Sequence, residues 1–157
     1  MLYALSSAAY ARAYTREGGA PDRLGTIALR AAVLVHIVYL SARGVLEGHL
    51  PLASVYDFLS ATGLSMAVVY LYLEAREGIR TTGVFVVPII FLIQIVSSAY
   101  GGRTPPDPVP LKPIWFELHT LTAVLGYSAF AVSAIYGVLF LLLYRDIKAN
   151  RFSFFFR

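Results

Sequence analysis

An all-α, polytopic bundle of transmembrane helices is the fold class this sequence predicts, and three features carry the prediction. Hydrophobic residues fill 58% of the 157 positions and charged residues only 14%, whereas soluble domains hold about 25% charged residues. The mean hydropathy is +0.68. The apolar residues also come in long unbroken runs rather than at scattered core positions. A chain this short of charge cannot clothe a globular surface, and the bilayer is the solvent that suits it. Its length suits one small bundle, so residues 1–157 are read as a single transmembrane domain.

Taken in order, the first apolar run covers residues 2–14. It is short and carries Arg12, which predicts a short or partial span. It lacks a basic leading region and a cleavage-site pattern, which argues against a removable signal peptide. Residues 17–21 then supply the glycines and proline of a turn. The second run, 24–40, lies between Arg23 and Arg43. The third, 54–73, has Asp57 in its first turn and Glu74 just beyond it. The fourth, 83–99, contains Pro88. Each of these three is long enough for a hydrocarbon core of about 30 Å. Residues 101–113 hold five prolines, which cannot continue a helix, and the fifth run covers 114–144. The prediction is therefore four full spans and a short N-terminal one.

Lys and Arg between the runs predict the orientation. Arg12, Arg16, Arg23, Arg76, Arg80, Arg145, Lys148, Arg151 and Arg157 fall on one side, and Arg43, Arg103 and Lys112 on the other. Arg30 lies near the basic end of its span and can snorkel. The positive-inside rule then puts the C-terminus in the cytoplasm and the N-terminus outside. His49 and His119 fall on the outer side. The distance from His119 to Tyr144 is about 37 Å along a helix, longer than the hydrocarbon core, so His119 belongs at the interface. Trp115, one turn earlier, fits an interfacial aromatic belt.

Several function classes are excluded. There is no cysteine, hence no disulfide, thiolate metal site or CxxC redox pair. The net charge of +4 is accounted for by cytoplasmic loops, and nucleic acid is not an expected partner. No Walker, HExxH, GxGxxG or Ser-His-Asp pattern occurs, and the chain is not expected to be an enzyme. The candidate ligands are the three histidines. His119 can hold haem iron through a neutral imidazole at the interface, or can be a solvated residue at a helix start. His49, before Pro51 in a loop, is exposed by default. His36 lies within a span, where ionisable groups tend to be functional; it suits a ligand, or an imidazole bonded to a neighbouring Ser, Tyr or carbonyl. His119, Ala123, Gly126, Phe130, Ser133 and Gly137 share a helix face that suits close helix packing or a flat apolar ligand. Gln94, Ser97 and Ser98 can bond across helices, and Asp57 and Glu117 suit helix N-termini.

Two stretches resemble a known family. Residues 43–59, RGVLEGHLPLASVYDFL, match the loop leading into a span in the cytochrome c assembly protein family, the membrane haem-handling proteins of the CcsA, ResC and HemX type. The match runs through Gly48, His49, Pro51, Leu52, Tyr56 and Asp57, with Ser54 where the family has Asn and Asp57 in place of Glu. Residues 115–143 are similar to a later helix of that family through Trp115, His119, Gly126, Tyr127, Ala129, Phe130 and Gly137. The likeness covers about residues 24–148 and corresponds to the N-terminal half of the family only, because the tryptophan-rich WGxxWxWD segment and second external histidine do not follow here.

This resemblance implies a haem-presenting protein of c-type cytochrome biogenesis in a bacterial inner (plasma) membrane. It implies non-covalent b-type haem held at the outer face by His119, with Trp115, Tyr127 and His49 at the site and a partner supplying the second ligand. Expected partners are membrane lipid, other cytochrome c maturation proteins and apocytochrome c. The alternative is a structural or assembly subunit of a larger membrane complex without its own haem. A third reading, a transporter for a small solute, rests on Pro88 breaking a span and on His36.

Overall fold

The computed structural model describes residues 1–15, 23–52, 54–101 and 114–149. The expected turn at 17–21, the proline-bearing segment from 102 to 113, the Phe-rich end and Arg16, Arg103, Lys112, Arg151 and Arg157 lie outside the described residues.

Five helices follow one another: α1 (Leu2–Thr15), α2 (Leu24–Glu47), α3 (Val55–Glu77), α4 (Gly83–Tyr100) and α5 (Ile114–Lys148). Helices α2 to α5 are each long and apolar enough to cross a membrane. The chain is an integral membrane protein with an all-helical polytopic bundle. At 14 residues, α1 is the short first element, about 21 Å long at 1.5 Å per residue.

The helices overrun the apolar stretches for physical reasons. Helix α2 gains its last turns from Arg43, whose guanidinium binds Glu47 at 2.7 Å in the i,i+4 relation. It stops at Gly48, which has φ of 72° and donates its N–H to the Gly44 carbonyl. Only glycine enters that left-handed conformation without strain. Helix α3 starts with a capping box: Ser54 Oγ accepts from the Asp57 N–H, and the Asp57 carboxylate accepts from the Ser54 N–H. That is the helix-start role foreseen for Asp57. Helix α4 runs unbroken past Pro88, so no interrupted span supports the transporter reading.

Helix α3 is central, packing on α4, α5 and α2, while α1 packs on α2 and α4. The core includes Tyr10, Leu29, Met66, Tyr70, Val87 and Ile90. Three polar rungs join antiparallel α2 and α3 at successive depths. At one end Arg43 Nη1 binds the Asp57 carboxylate at 2.6 Å. Midway, His36 Nε2 and Ser60 Oγ are 2.9 Å apart. At the other end the Thr26 hydroxyl donates to Glu74 at 2.5 Å. Helix α1 fastens to the two lower rungs through residues two turns apart: Tyr3 Oη lies 3.0 Å from His36 Nδ1, and the Tyr10 hydroxyl donates to Glu74 at 2.5 Å. Groups buried among apolar helices, as His36 and Glu74 are, must find partners inside the chain.

Glu74 is only 5% exposed and stands 3.8 Å from Arg80 Nε. Around it the packing leaves no slack. A Cβ on Gly83 would fall 2.5 Å from the Tyr10 ring and 2.7 Å from the Tyr70 hydroxyl. Glycine at the start of α4 lets that helix press against both tyrosines. By contrast, a Cβ on Gly126 would meet nothing within 4 Å. Gly83→Ala is therefore expected to cost about 1–3 kcal/mol through overpacking, and Gly126→Ala to stay within about 0.5 kcal/mol of wild type. Unfolding of the two variants in one detergent checks this contrast; equal stability would contradict it.

Candidate functional site

The end of the bundle that carries the Arg43–Asp57 rung also carries two of the three histidines. The left-handed turn at Gly48 swings the chain off α2 and delivers His49, whose Nδ1 lies 2.9 Å from the Leu50 carbonyl. Behind it the Leu50 N–H donates to the Glu117 carboxylate at 3.2 Å. That bond spans 67 positions and ties the His49 loop to the first turn of α5. Glu117 was foreseen at a helix start, and it sits there, but its observed partner belongs to another segment. His49, Pro51, Gly44, Glu117 and Leu121 line a mostly apolar cavity of about 490 Å³ between α2, α3 and α5.

His119 follows Glu117 by two residues, so it is at the same end but on a different face. Helix α5 touches the bundle through Val124, Ser128 and Val132. His119 is turned roughly 140–180° from Val124 and Ser128 at 100° per residue. It is exposed, and among the described residues its ring has no hydrogen-bond partner, so an imidazole lone pair remains available. Trp115, one turn before it, is 76% exposed, and Tyr127, two turns after it, is 66% exposed. These three expected site residues share the outward side of α5. His49 joins them at that end of the molecule but lies on the bundle side.

Among the described residues, nothing packs closely on the face from His119 through Gly126 and Phe130 to Gly137. Phe130 is 75% exposed, and neither glycine's added Cβ would meet an atom within 4 Å. The small residues were foreseen as a packing surface, yet the chain packs α5 by its other side. The strip is open and largely apolar, with the His119 imidazole at the end nearest the His49 loop.

His36 is engaged at both ring nitrogens. As a metal ligand it would need a free ring nitrogen, but Nδ1 faces Tyr3 Oη and Nε2 faces Ser60 Oγ. Its hydrogen-bonded reading is the one the geometry bears out. Ser60 Oγ also accepts from the Gln94 amide at 3.2 Å, and the Ser97 hydroxyl donates to the Tyr56 carbonyl at 2.8 Å. These are the cross-helix bonds foreseen for Gln94 and Ser97. The buried carboxylate of Glu74 escaped the sequence reading, since it lies just past an apolar run and looks like a flanking charge. No group of three or more His, Cys, Asp or Glu side chains that could hold a metal ion occurs among the described residues.

No protein-family model matches the chain, and no solved structure matches it significantly. Curated proteins do. The chain is 30% identical over 130 residues to the cytochrome c biogenesis protein CcsA of Nostoc punctiforme, a match covering 78% of this chain and 36% of that protein. It is 28% identical over 114 residues to the CcsA of Heterosigma akashiwo, covering 70% of this chain and 35% of the relative. With the CcsA of Porphyra purpurea it shares 26% identity over 134 residues, 81% of this chain and 42% of that one. Over most of its length, then, the chain is CcsA-like. It spans little more than a third of the length of these curated relatives.

With Trp115 the sole tryptophan, its fluorescence reports on this end of α5. In lipid nanodiscs the emission is expected to be quenched readily by acrylamide added from water. Emission that resists acrylamide would contradict a tryptophan standing exposed at the interface.

Proposed function

We propose that this CcsA-like chain handles haem during the biogenesis of c-type cytochromes. It holds haem non-covalently as b-type at the bundle end that carries His49 and His119, with His119 as axial ligand to the iron. The observation that carries the reading is the His119 imidazole itself: unpartnered, exposed, and set at the head of an open apolar face. The similarity to proteins named for cytochrome c biogenesis supports the same reading.

The chain's own residues would each have a simple task. His119 supplies a neutral nitrogen, which binds iron without adding charge to a low-dielectric site. Trp115, Tyr127 and Phe130 offer aromatic surface to a flat ring. Gly126 and Gly137 let that ring approach the helix backbone. Glu117 holds the His49 loop against the base of α5. A partner, such as another maturation membrane protein, would supply the second ligand, and apocytochrome c would be the recipient. The protein makes and breaks no covalent bond. The excess of Lys and Arg at the opposite end supports an outer location for both histidines, with the C-terminus cytoplasmic in a bacterial plasma membrane.

A second reading is favoured by the same open face. Small residues on lipid-exposed helices let other helices approach closely, so α5 could seat this chain as an assembly subunit in a larger complex without haem of its own.

Haem titration separates the two. The purified protein, alone or with co-expressed partners, is expected to develop a Soret band that His119→Ala largely removes and His36→Gln retains. Absence of haem uptake in every preparation, or loss of the band only in His36→Gln, would overturn the haem reading.

A further inference from the structure

A second cavity, of about 750 Å³, lies between α2, α3 and α4 beside the first turn of α1. It is separate from the His49 pocket and from the outward face of α5. We propose that it is a binding site for the head group of a lipid-soluble quinone. The inference is independent of the haem reading.

Four features point to that chemistry. First, the floor is polar and adaptable. His36 bridges Tyr3 Oη and Ser60 Oγ, and the Gln94 amide donates to the same serine. With both His36 nitrogens engaged, the Tyr3 and Ser60 hydroxyls remain the adaptable groups, since a hydroxyl can donate or accept. Such a floor suits a ligand that offers carbonyl oxygens when oxidised and hydroxyls when reduced. Second, the lining is mixed: Ala32, Val35 and Tyr39 offer apolar surface beside the polar floor, as a ring with an apolar body requires. Third, the charges are already matched. Arg43 at the rim is paired with both Asp57 and Glu47, which favours a neutral guest over an anion. Fourth, the mouth opens on the side of the bundle. Val35 on α2, 58% exposed, and exposed Ser98 on α4 both line the cavity. Val35 adjoins His36, which is about 18 Å along α2 from its first residue, within the depth of the hydrocarbon. A guest arriving there comes through lipid. The volume is within the range of about 300–1,000 Å³ usual for small-molecule sites.

The test uses the full chain in lipid nanodiscs, titrated calorimetrically with decylubiquinone and, separately, with haemin. Saturable quinone binding is expected, weakened about tenfold, or about 1.4 kcal/mol, by Val35→Trp or Ser98→Trp. Both fill the mouth from exposed positions, and their unfolding should match wild type, so a loss of binding cannot be ascribed to misfolding. His36→Gln should weaken binding as well. His119→Ala should bind quinone like wild type even if it no longer takes up haem, so failure of the haem reading and failure of this one are told apart. No saturable quinone binding, binding that both tryptophan variants leave unchanged, or haemin binding lost in Ser98→Trp would overturn the proposal.

Discussion

Buried oxygen and nitrogen atoms between the helices set the shape of this bundle. Glu74 and His36 sit among apolar helices, and each is answered from two other helices. Glu74 takes hydroxyl bonds from Thr26 on α2 and Tyr10 on α1, and His36 meets Ser60 on α3 and Tyr3 on α1. A transmembrane helix gains no hydrophobic free energy by leaving lipid for another helix, so packing and such bonds must hold the bundle. Each bond adds modestly, on the order of 1 kcal/mol. Leaving a member unpaired costs more, because the alternative is a bare polar group in a dry medium. The rungs therefore fix the register of α1, α2 and α3 more sharply than apolar contact could. Small α1, too short to span alone, depends on them most.

The chemistry follows from what that locked half leaves free. With α1 to α4 drawn together, α5 is attached chiefly along α3 through Val124, Ser128 and Val132. Its other side stays open, and His119 stands on that side. The Leu50 N–H donates to the Glu117 carboxylate, a polar tether between the His49 loop and α5. The two histidines thus share an end without sharing a face, an arrangement suited to a site completed by another molecule. Inside the bundle, the polar rungs at His36 and Arg43 also border the larger cavity, so the groups that fasten the helices are the groups a guest would meet.

Much of this was legible in the residues and some of it could not be. Long apolar runs marked the helices because hydrocarbon thickness sets their length. The ends were less legible: Arg43 and Glu47 extend α2 by pairing along its surface, and Gly48 and Gly78 end α2 and α3 by adopting a left-handed conformation. The kind of partner His36 would find was foreseeable, since hydroxyls are the common donors in a membrane. That Tyr3 and Ser60 provide them depends on register between distant segments. Glu74 was missed for the same reason: its partners lie 48 and 64 positions away, and a charge at the edge of an apolar run reads as a flank. On α5 the spacing of small residues marked a common face, but periodicity shows which residues align and not which side meets α3.

The account as a whole requires positions 49 and 119 to emerge at one surface of the membrane. The chain has no cysteine, so His49→Cys and His119→Cys can each introduce a unique thiol. In intact cells a membrane-impermeant maleimide is expected to label both, while Arg76→Cys at the opposite end stays unlabelled until the membrane is opened. Labelling of only one of the two histidine positions, or of Arg76→Cys in place of both, would contradict the topology on which the site rests.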